Sequence, residues 1–233
     1  MLPNIELMGL SLSTYWLALT VGAIGMLICL WQRRMRFFLR RLQCVQFILI
    51  LTVIGILGAK ALFILENLED TAENGISLAG VSFYGSVYLL PLLMPLMGKL
   101  FQLRSDQTMD ICGPCVAVMI GCMRIGCFLS GCCGGSEVYL GDICFQWPTQ
   151  AFESIGDFAI LLLLLHWEER GKYRQLLYPI FMLLYSALRF LIEFLRDTPK
   201  EWLQLSHGHW FALAAICWSA IWIFSKTYVK RTI

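Results

Sequence analysis

The sequence predicts an all-α, polytopic integral membrane protein with about seven transmembrane helices. Of its 233 residues, 58% are hydrophobic and only 15% are charged, and the mean hydropathy is +0.69. A soluble globular domain carries more charge and fewer apolar residues. Apolar runs of about 20 residues, enough for one bilayer crossing, recur at residues 13–31, 44–65, 76–97, 111–131, 149–167, 176–195 and 208–225.

The connections between these runs differ in charge, and the difference predicts an orientation. The first connection, residues 32–43, carries five arginines and no acidic residue, whereas the second, residues 66–75, carries four acidic residues and no basic one. The third and fifth connections and the C-terminal tail are also basic. Because basic loops of membrane proteins face the cytoplasm, we predict an outer N-terminus and a cytoplasmic C-terminus. We expect one transmembrane helical domain over residues 1–233 and no nucleic acid partner, since the basic residues lie between spans.

Charged and polar side chains interrupt the apolar runs at one depth. Arg124 lies inside the fourth run, where a cation costs at least about 2.5–3.5 kcal/mol and marks a functional site unless its side chain reaches the interface. In the sixth run Tyr185, Arg189 and Glu193 recur every four residues, which places them on one stripe of a helix. With the predicted orientation and a helical rise of 1.5 Å per residue, polar groups of five runs fall near the outer leaflet: Lys60, Ser82, Tyr84, Arg124, Gln150, Glu153, Tyr185, Arg189 and Glu193.

Two explanations of this polar layer remain open. A structural ion-pair network can neutralise some charges, for example Arg189 with Glu193 or Arg124 with Glu153. However, these two arginines and Lys60 outnumber the two carboxylates, and an excess of buried charge is costly unless an anion arrives. A lipid phosphate is the anion most available at this depth, and the planar guanidinium of arginine binds phosphate in bidentate fashion. We therefore favour a site for a phospholipid headgroup.

Five short segments follow one another through the predicted spans. Residues 80–85 (Gly-Val-Ser-Phe-Tyr-Gly) are similar to a Gly-Gly-x-x-Phe-His-Gly segment, and residues 123–128 (Met-Arg-Ile-Gly-Cys-Phe) to a Gly-Arg-(Leu or Ile)-Gly-Asn-Phe signature. Residues 148–153 (Pro-Thr-Gln-Ala-Phe-Glu) resemble Pro-Ser-Gln-x-Tyr-Glu, and residues 205–210 resemble a Ser-x-Gly-Gln segment. Residues 185–196 match Tyr-x-x-x-Arg-Phe-x-x-Glu-Phe-x-Arg at six positions. In this order and spacing, the chain resembles the bacterial prolipoprotein diacylglyceryl transferase family from the second span to the seventh.

The resemblance implies a seven-span transferase of the bacterial plasma (inner) membrane. Such an enzyme moves the diacylglyceryl group of phosphatidylglycerol to the thiol of a lipobox cysteine in a prolipoprotein and releases glycerol phosphate. The implied partners are phosphatidylglycerol or another anionic phospholipid and a prolipoprotein, with no cofactor and no metal. The implied catalytic residues are Arg124, Arg189, Tyr84 and Tyr185. The implied substrate-binding residues are Arg124, Gly126, Gln150, Glu153, Glu193, Arg196, Lys60 and His207.

Three positions depart from the family pattern. The family's histidine in the third-span segment is Tyr84 here, its asparagine after Arg-x-Gly is Cys127, and its histidine before Pro-Ser-Gln is Trp147. A thiol must lose its proton to be a good nucleophile, and a histidine with an ordinary pKa of about 6.5 suits this task better than a tyrosine. Tyr84 needs a neighbouring cation to serve as the base, or His207 or His209 replaces it. Alternatively, the chain is a divergent member that uses another acceptor or is not catalytic.

The cysteines support a further hypothesis, a membrane thiol oxidoreductase. Residues 112–115 spell the thioredoxin-type motif Cys-Gly-Pro-Cys, but an all-helical context at the predicted cytoplasmic side favours coincidence. Cys127, Cys132, Cys133 and Cys144 lie near the predicted outer face, where a disulfide from Cys132 or Cys133 to Cys144 can form. Their spacing, even with a histidine added, matches no structural zinc pattern. For Cys127 the sequence favours simple packing.

Overall fold

The computed structural model describes residues 4–7, 10–68, 71, 82–141, 143–200 and 203–232. These ranges contain seven α-helices and two short antiparallel hairpins. In chain order the elements are β1 (Asn4–Leu7), β2 (Leu10–Ser13), α1 (Thr14–Arg33), α2 (Arg41–Glu66), α3 (Phe83–Leu100), α4 (Ser105–Ser130), β3 (Glu137–Leu140), β4 (Ile143–Gln146), α5 (Thr149–Glu169), α6 (Leu177–Glu193) and α7 (His207–Thr232). The predicted all-α class is confirmed, and the hairpins are small additions to it.

Six of these helices, α1 to α5 and α7, are long and apolar enough to cross a membrane. Helix α6 has 17 residues and is about 25 Å long at 1.5 Å per residue. The chain is thus a polytopic membrane protein, while the count of seven crossings and the orientation stay predictions. The start of the predicted third span, Gly80 and Val81 of its motif, and most of the acidic connection lie outside the described residues.

Large apolar side chains cover the exposed faces of the spanning helices. On α2 the side chains of Leu49, Val53 and Leu57 follow one another at four-residue intervals, and each is more than half exposed. A soluble monomer rarely exposes such a continuous apolar stripe. Apolar stripes of this kind suit contact with lipid.

The chain separates into two compact units, residues 30–109 in one and residues 1–29 with 110–233 in the other. We call the first the α2–α3 unit and the second the α4–α7 unit. The single transmembrane domain predicted over residues 1–233 stays a prediction.

In the α2–α3 unit, two glycines let the helices approach closely. A Cβ atom on Gly58 would lie 2.7 Å from the carbonyl oxygen of Gly85, so neither position has room for a side chain. Next to this contact, Ser86 Oγ donates a 2.6 Å hydrogen bond to the carbonyl oxygen of Gly55. Small residues that bring backbones together are a common means of helix association in membranes.

In the α4–α7 unit, α6 begins at a fixed point on α4. The carboxylate of Asp110 on α4 accepts hydrogen bonds from the backbone N–H groups of Gln175, at 2.9 and 2.8 Å, and of Leu177, at 3.3 Å. It thereby satisfies donors that a helix start leaves without partners. Gly113 packs against the backbone of Leu177, because a Cβ there would lie 2.8 Å from the Leu177 oxygen. This anchoring sets the position of the charged residues further along α6.

The Cys-Gly-Pro-Cys segment forms part of this packing. Cys112 and Cys115 are fully buried within α4, and Cys115 Sγ lies 3.8 Å from the carbonyl oxygen of Met26. A redox motif of the thioredoxin type needs an accessible thiol at a helix N-terminus. The environment of these two cysteines gives the oxidoreductase hypothesis no support.

Candidate active site

Three arginines and two glutamates meet in the α4–α7 unit and form what we call the arginine cluster. Its members come from three helices and the segment after the last of them: Arg124 on α4, Glu153 on α5, Arg189 and Glu193 on α6, and Arg196 just beyond α6. Helix α6 places Arg189 and Glu193 one turn apart on the same face. Arg196 continues that face because Arg196 N–H bonds to the carbonyl oxygen of Glu193 at 3.2 Å.

Glu153 is the centre of the cluster. Its Oε2 forms an ion pair with Nε of Arg124, and its Oε1 forms one with Nη1 of Arg189. The second carboxylate, Glu193, lies 2.8 Å from Nη2 of Arg189. Arg196 is within 3.7 Å of Glu153 and 3.9 Å of Glu193. One carboxylate thus holds the guanidiniums of Arg124 and Arg189 side by side.

The two signs of charge in the cluster differ in exposure. The glutamate side chains are 2% exposed, whereas those of the arginines are 11% to 14% exposed. With three cations and two anions, the five ion-paired groups carry a formal charge of +1. The ion-pair network that the sequence left open is therefore present, and its arginines are more exposed than its glutamates.

The start of α7 supports Glu193. Ser206 Oγ and Thr198 Oγ1 donate hydrogen bonds to Oε1 of Glu193 at 2.9 and 3.1 Å. A Cβ on Gly208 would lie 2.7 Å from the same oxygen, so only glycine allows this approach. His209 is fully buried, and its Nδ1 accepts a 3.2 Å hydrogen bond from the backbone N–H of Ser206.

The start of α5 holds the turn that follows α4. Gln150 Nε2 donates a 2.6 Å hydrogen bond to the carbonyl oxygen of Cys132, and Thr149 Oγ1 donates a 3.2 Å bond to that of Cys133. In addition, Ser136 N–H bonds to the carbonyl oxygen of Leu195 at 2.8 Å. The segments at residues 123–128, 148–153 and 185–196 are therefore linked in space as well as in order.

Three thiols lie at that turn. The sulfurs of Cys127, Cys132 and Cys133 are within 4.8 Å of one another. A hydrogen bond from the Cys127 thiol, with the charges of Arg124 and Arg196, lowers the pKa of the Cys133 thiol to about 5. Burial raises the pKa of the Cys132 thiol. Cys132, Cys133 and Cys144 are all free thiols, so the disulfide considered from the sequence is not formed in this structure.

The structure gathers some predicted site residues around the cluster. Tyr185 is buried one turn before Arg189 on α6, where it interacts electrostatically with Arg124 and Arg189. Gly126 is buried on α4, two residues after Arg124. His207 lies exposed at the first residue of α7.

Two predicted site residues belong to the α2–α3 unit. Tyr84 is buried in the first turn of α3, with its ring centroid 6.1 Å from that of Tyr88. Lys60 lies on α2 with its ammonium 4.9 Å from the ring centroid of Phe63. Their predicted participation in the site stays a prediction.

Three polar residues of this region received no site role from the sequence. Asp157 is fully buried one turn after Glu153, and neither of its carboxylate oxygens has a hydrogen-bond partner among the described residues. Its four-residue spacing from Glu153 was the available signal. Ser206 is the matched serine of the segment at residues 205–210 but received no role, and Thr198 gave no signal because short hydroxyl side chains are common in loops.

Comparisons with known proteins agree with the motifs. A model of the family described as prolipoprotein diacylglyceryl transferase matches residues 4–225. The phosphatidylglycerol–prolipoprotein diacylglyceryl transferase 2 of Clostridium perfringens is 32% identical over 169 residues, which cover 65% of this chain and 66% of that protein. The corresponding transferase of Clostridium tetani is 26% identical over 84% of this chain and 85% of its own length. That of Finegoldia magna is 27% identical over 61% of this chain and 62% of its own length.

The chain thus spans slightly less than two thirds of the first and third of these relatives and most of the second. The family match covers nearly all of the chain, including every segment that builds the arginine cluster. The chain belongs to the prolipoprotein diacylglyceryl transferase family, a family of membrane transferases.

Proposed function

We propose that this protein transfers the diacylglyceryl group of phosphatidylglycerol to the thiol of a lipobox cysteine in a prolipoprotein and releases glycerol phosphate. Its place of action is the bacterial plasma membrane. The observation that carries the proposal is the arginine cluster, whose five groups carry a formal charge of +1 with the guanidiniums on the exposed side. The names of the relatives from Clostridium perfringens and Clostridium tetani support the same reaction.

In the proposed reaction, the sulfur of the acceptor attacks the carbon of the diacylglyceryl group that is bonded to a phosphate oxygen. A carbon–sulfur bond forms, and the carbon–oxygen bond to the phosphate breaks with its electron pair on the departing glycerol phosphate. Arg124 and Arg189 bind the phosphate and stabilise the charge that develops on it. Fixed cations in a site shielded from water provide this stabilisation without reorganisation.

The remaining predicted residues take supporting roles in the proposal. Glu153 and Glu193 are positioning residues, because they hold the guanidiniums of Arg124 and Arg189 in place before substrate arrives. Gln150 holds the turn after α4 through the backbone of Cys132. The other proposed contacts to substrate or phosphate are Gly126, Tyr185, Arg196, Lys60 and His207.

Tyr84 is the candidate base for the acceptor thiol, since it stands where the family has histidine. Replacing Tyr84 with phenylalanine removes only the hydroxyl. A large loss of turnover is expected if this hydroxyl accepts the proton, and unchanged turnover excludes it as the base.

The proposal is tested with purified protein, phosphatidylglycerol labelled in its glycerol headgroup, and a lipobox peptide. We expect two products in equal amounts, a peptide with a diacylglyceryl thioether, detected by mass spectrometry, and labelled glycerol phosphate. A peptide with serine in place of the lipobox cysteine is the matched control and gives neither product. Glycerol phosphate released without modified peptide indicates another acceptor. Absence of both products with folded protein contradicts the proposal.

A further inference from the structure

The three thiols at the end of α4 are placed by a defined turn. Gly131 N–H bonds to the carbonyl oxygen of Phe128 at 3.3 Å, and Cys132 N–H bonds to that of Cys127 at 3.1 Å. Together with a φ of +74° at Gly131, these two bonds form a Schellman motif. The motif folds the chain back over the last helical turn and so brings Cys132 beside Cys127.

Two further features hold the third thiol in the group. Cys133 has a φ of +62°, an uncommon conformation for a residue other than glycine. The carbonyl oxygens of Cys132 and Cys133 are each bound by a side chain from the start of α5, namely Gln150 and Thr149. The convergence of the thiols therefore depends on backbone contacts and not on side-chain rotation alone.

The separation of the sulfurs fits a metal ion bound by thiolates. All three sulfurs lie within 4.8 Å of one another. Zinc binds thiolates at about 2.3 Å in tetrahedral geometry, which corresponds to sulfurs about 3.8 Å apart. Closing the group around an ion thus needs movements of about 1 Å at most, given those bond lengths. Zinc sites with three protein ligands and one open position are typical of catalysis rather than of structural support.

The surroundings of the thiols suit the charge of such a site. Zinc with three thiolates carries a net charge of −1, and a fourth thiolate makes it −2. Arg124 and Arg196 both interact electrostatically with Cys133. Arg124 also lies three residues before Cys127 on α4, hence on the same helix face. The cations that would stabilise the metal site therefore belong to the arginine cluster.

The exposure of the three thiols indicates which side of the ion the open position faces. Cys127 is 5% exposed, whereas Cys132 and Cys133 are exposed. An ion held by one buried and two exposed thiols has its remaining position on the accessible side. A thiol from another molecule can reach that position without displacing a helix.

We propose that Cys127, Cys132 and Cys133 bind one Zn²⁺ ion, and that the open position of the ion binds the acceptor thiol as a thiolate. This inference rests on the proposed function, because it names the group that activates the acceptor. A metal-bound thiol is deprotonated at neutral pH, and its proton passes to solvent water. The bound sulfur then forms its bond to the glycerol carbon as the bond from that carbon to the phosphate oxygen breaks, and glycerol phosphate leaves with the electron pair.

The proposal accounts for two departures from the family pattern at once. Where the family has a histidine, this chain has Tyr84, and where the family has an asparagine, it has Cys127. A zinc-activated thiol needs neither a histidine nor the Tyr84 hydroxyl as its base, so the zinc proposal expects unchanged turnover in Tyr84→Phe, whereas a large loss supports Tyr84 as the base. The sequence predicted no metal because the spacing of these cysteines fits no linear zinc pattern, and the turn that joins them is not visible in that spacing.

The first test is the metal content of the purified full-length chain after reconstitution with zinc in the presence of a reductant. We expect one zinc per chain in the wild type and loss of most of it in Cys132→Ser and in Cys133→Ser. The matched control is Cys144→Ser, which changes a cysteine on β4 outside the three-thiol group and keeps the metal. Wild-type protein without bound zinc, or equal zinc in all four proteins, overturns the proposal.

The second test replaces zinc with cobalt(II), whose thiolate charge-transfer absorption reports its ligands. Adding a lipobox peptide is expected to strengthen and shift this band, while the peptide with serine in place of cysteine leaves it unchanged. An unchanged spectrum with the cysteine peptide contradicts the proposal that the open position of the ion binds the acceptor thiol. Because this readout needs no lipid transfer, it also serves for a variant that is inactive for other reasons.

The two proposals fail separately. If metal-free protein transfers the diacylglyceryl group at the wild-type rate, the zinc inference is wrong and the proposed function stands. If the cobalt spectrum responds to the peptide thiol but no transfer from phosphatidylglycerol occurs, the metal site stands and the proposed function is wrong.

Discussion

In the α2–α3 unit, two helices contact each other through Gly58 and Gly85, whereas in the α4–α7 unit three helices meet through charged side chains. The glycine contact is closed, since a Cβ on Gly58 has no room beside the carbonyl of Gly85. In the arginine cluster the burial is uneven, because the side chain of Glu153 is 2% exposed and that of Arg124 is 13% exposed.

The two contacts differ in their physical cost. Close packing of small residues holds helices together without unpaired charge. Buried ion pairs are inferior for that purpose, because desolvation of the ions offsets much of their attraction. The arginine cluster joins α4, α5 and α6 through five ion-paired groups with one formal positive charge in excess, and this excess supports the proposed binding of an anion. The following variants test this difference.

Glu153→Gln is expected to have the largest effect. The substitution keeps the shape of the side chain but leaves Arg124 without its counter-charge and Arg189 with only Glu193. Breaking a buried ion pair on one side costs about 3–5 kcal/mol, so the melting temperature in detergent falls markedly. The control is Glu137→Gln on β3, where the carboxylate is exposed apart from a bond to Tyr139. Equal melting temperatures for both variants contradict the central place of Glu153.

Arg124→Ala and Arg189→Ala are expected to abolish measurable lipid transfer without preventing membrane insertion. Loss of one fixed group that stabilises developing charge typically lowers a rate about 10²–10³-fold. Transfer is measured with labelled phosphatidylglycerol, and insertion by membrane fractionation. Either variant working at the wild-type rate refutes the role assigned to that arginine.

Gly85→Ala tests the packed contact. The added methyl group meets the carbonyl of Gly58 and the Cβ of Leu62, and such overpacking typically costs about 1–3 kcal/mol. Gly55→Ala is the matched control on α2, since a Cβ there has only Ser86 Oγ nearby, at 4.0 Å. Thermal unfolding should separate the two variants. If Gly55→Ala destabilises as much as Gly85→Ala, close approach is not what holds α2 and α3 together.

Lys60→Met is expected to have the smallest effect. Lysine is a strongly hydrated point charge, and Lys60 is half-buried with its ammonium over the ring of Phe63. Loss of the proposed ion pair between this partly hydrated lysine and the lipid phosphate costs at most about 1 kcal/mol. We expect a modest rise in the KM for phosphatidylglycerol at nearly constant kcat. A loss of lipid transfer as large as that of Arg124→Ala would contradict the expected difference between residues of the two units.

Much of the fold followed from the sequence because its signals are local. Runs of about 20 apolar residues require helices in a bilayer, and the structure forms a helix at each of the seven runs. Residues 185–196 carry the four-residue spacing that aligns Arg189 with Glu193, and the structure pairs them at 2.8 Å. Helical periodicity alone was enough for that pair.

Other contacts depended on tertiary structure. The pair of Arg124 with Glu153 was one alternative that the sequence left open, and the structure forms it. The sharing of Glu153 by Arg124 and Arg189 requires the relative rotation of three helices, which no local pattern specifies. The third arginine of the cluster proved to be Arg196, which follows α6 and lay outside the predicted span. The three thiols come together because of the Schellman turn at Gly131, where the backbone leaves the helix and changes direction.

The most direct test of the central claim is equilibrium binding of headgroup-labelled phosphatidylglycerol to the purified protein in bilayers of zwitterionic lipid. The wild type is compared with the double variant Arg124→Ala, Arg189→Ala. We predict saturable binding of one lipid per chain by the wild type, displaced by unlabelled phosphatidylglycerol but not by phosphatidylcholine, and loss of this binding in the double variant. Equal binding by both proteins, or no preference for the anionic lipid, would contradict the account.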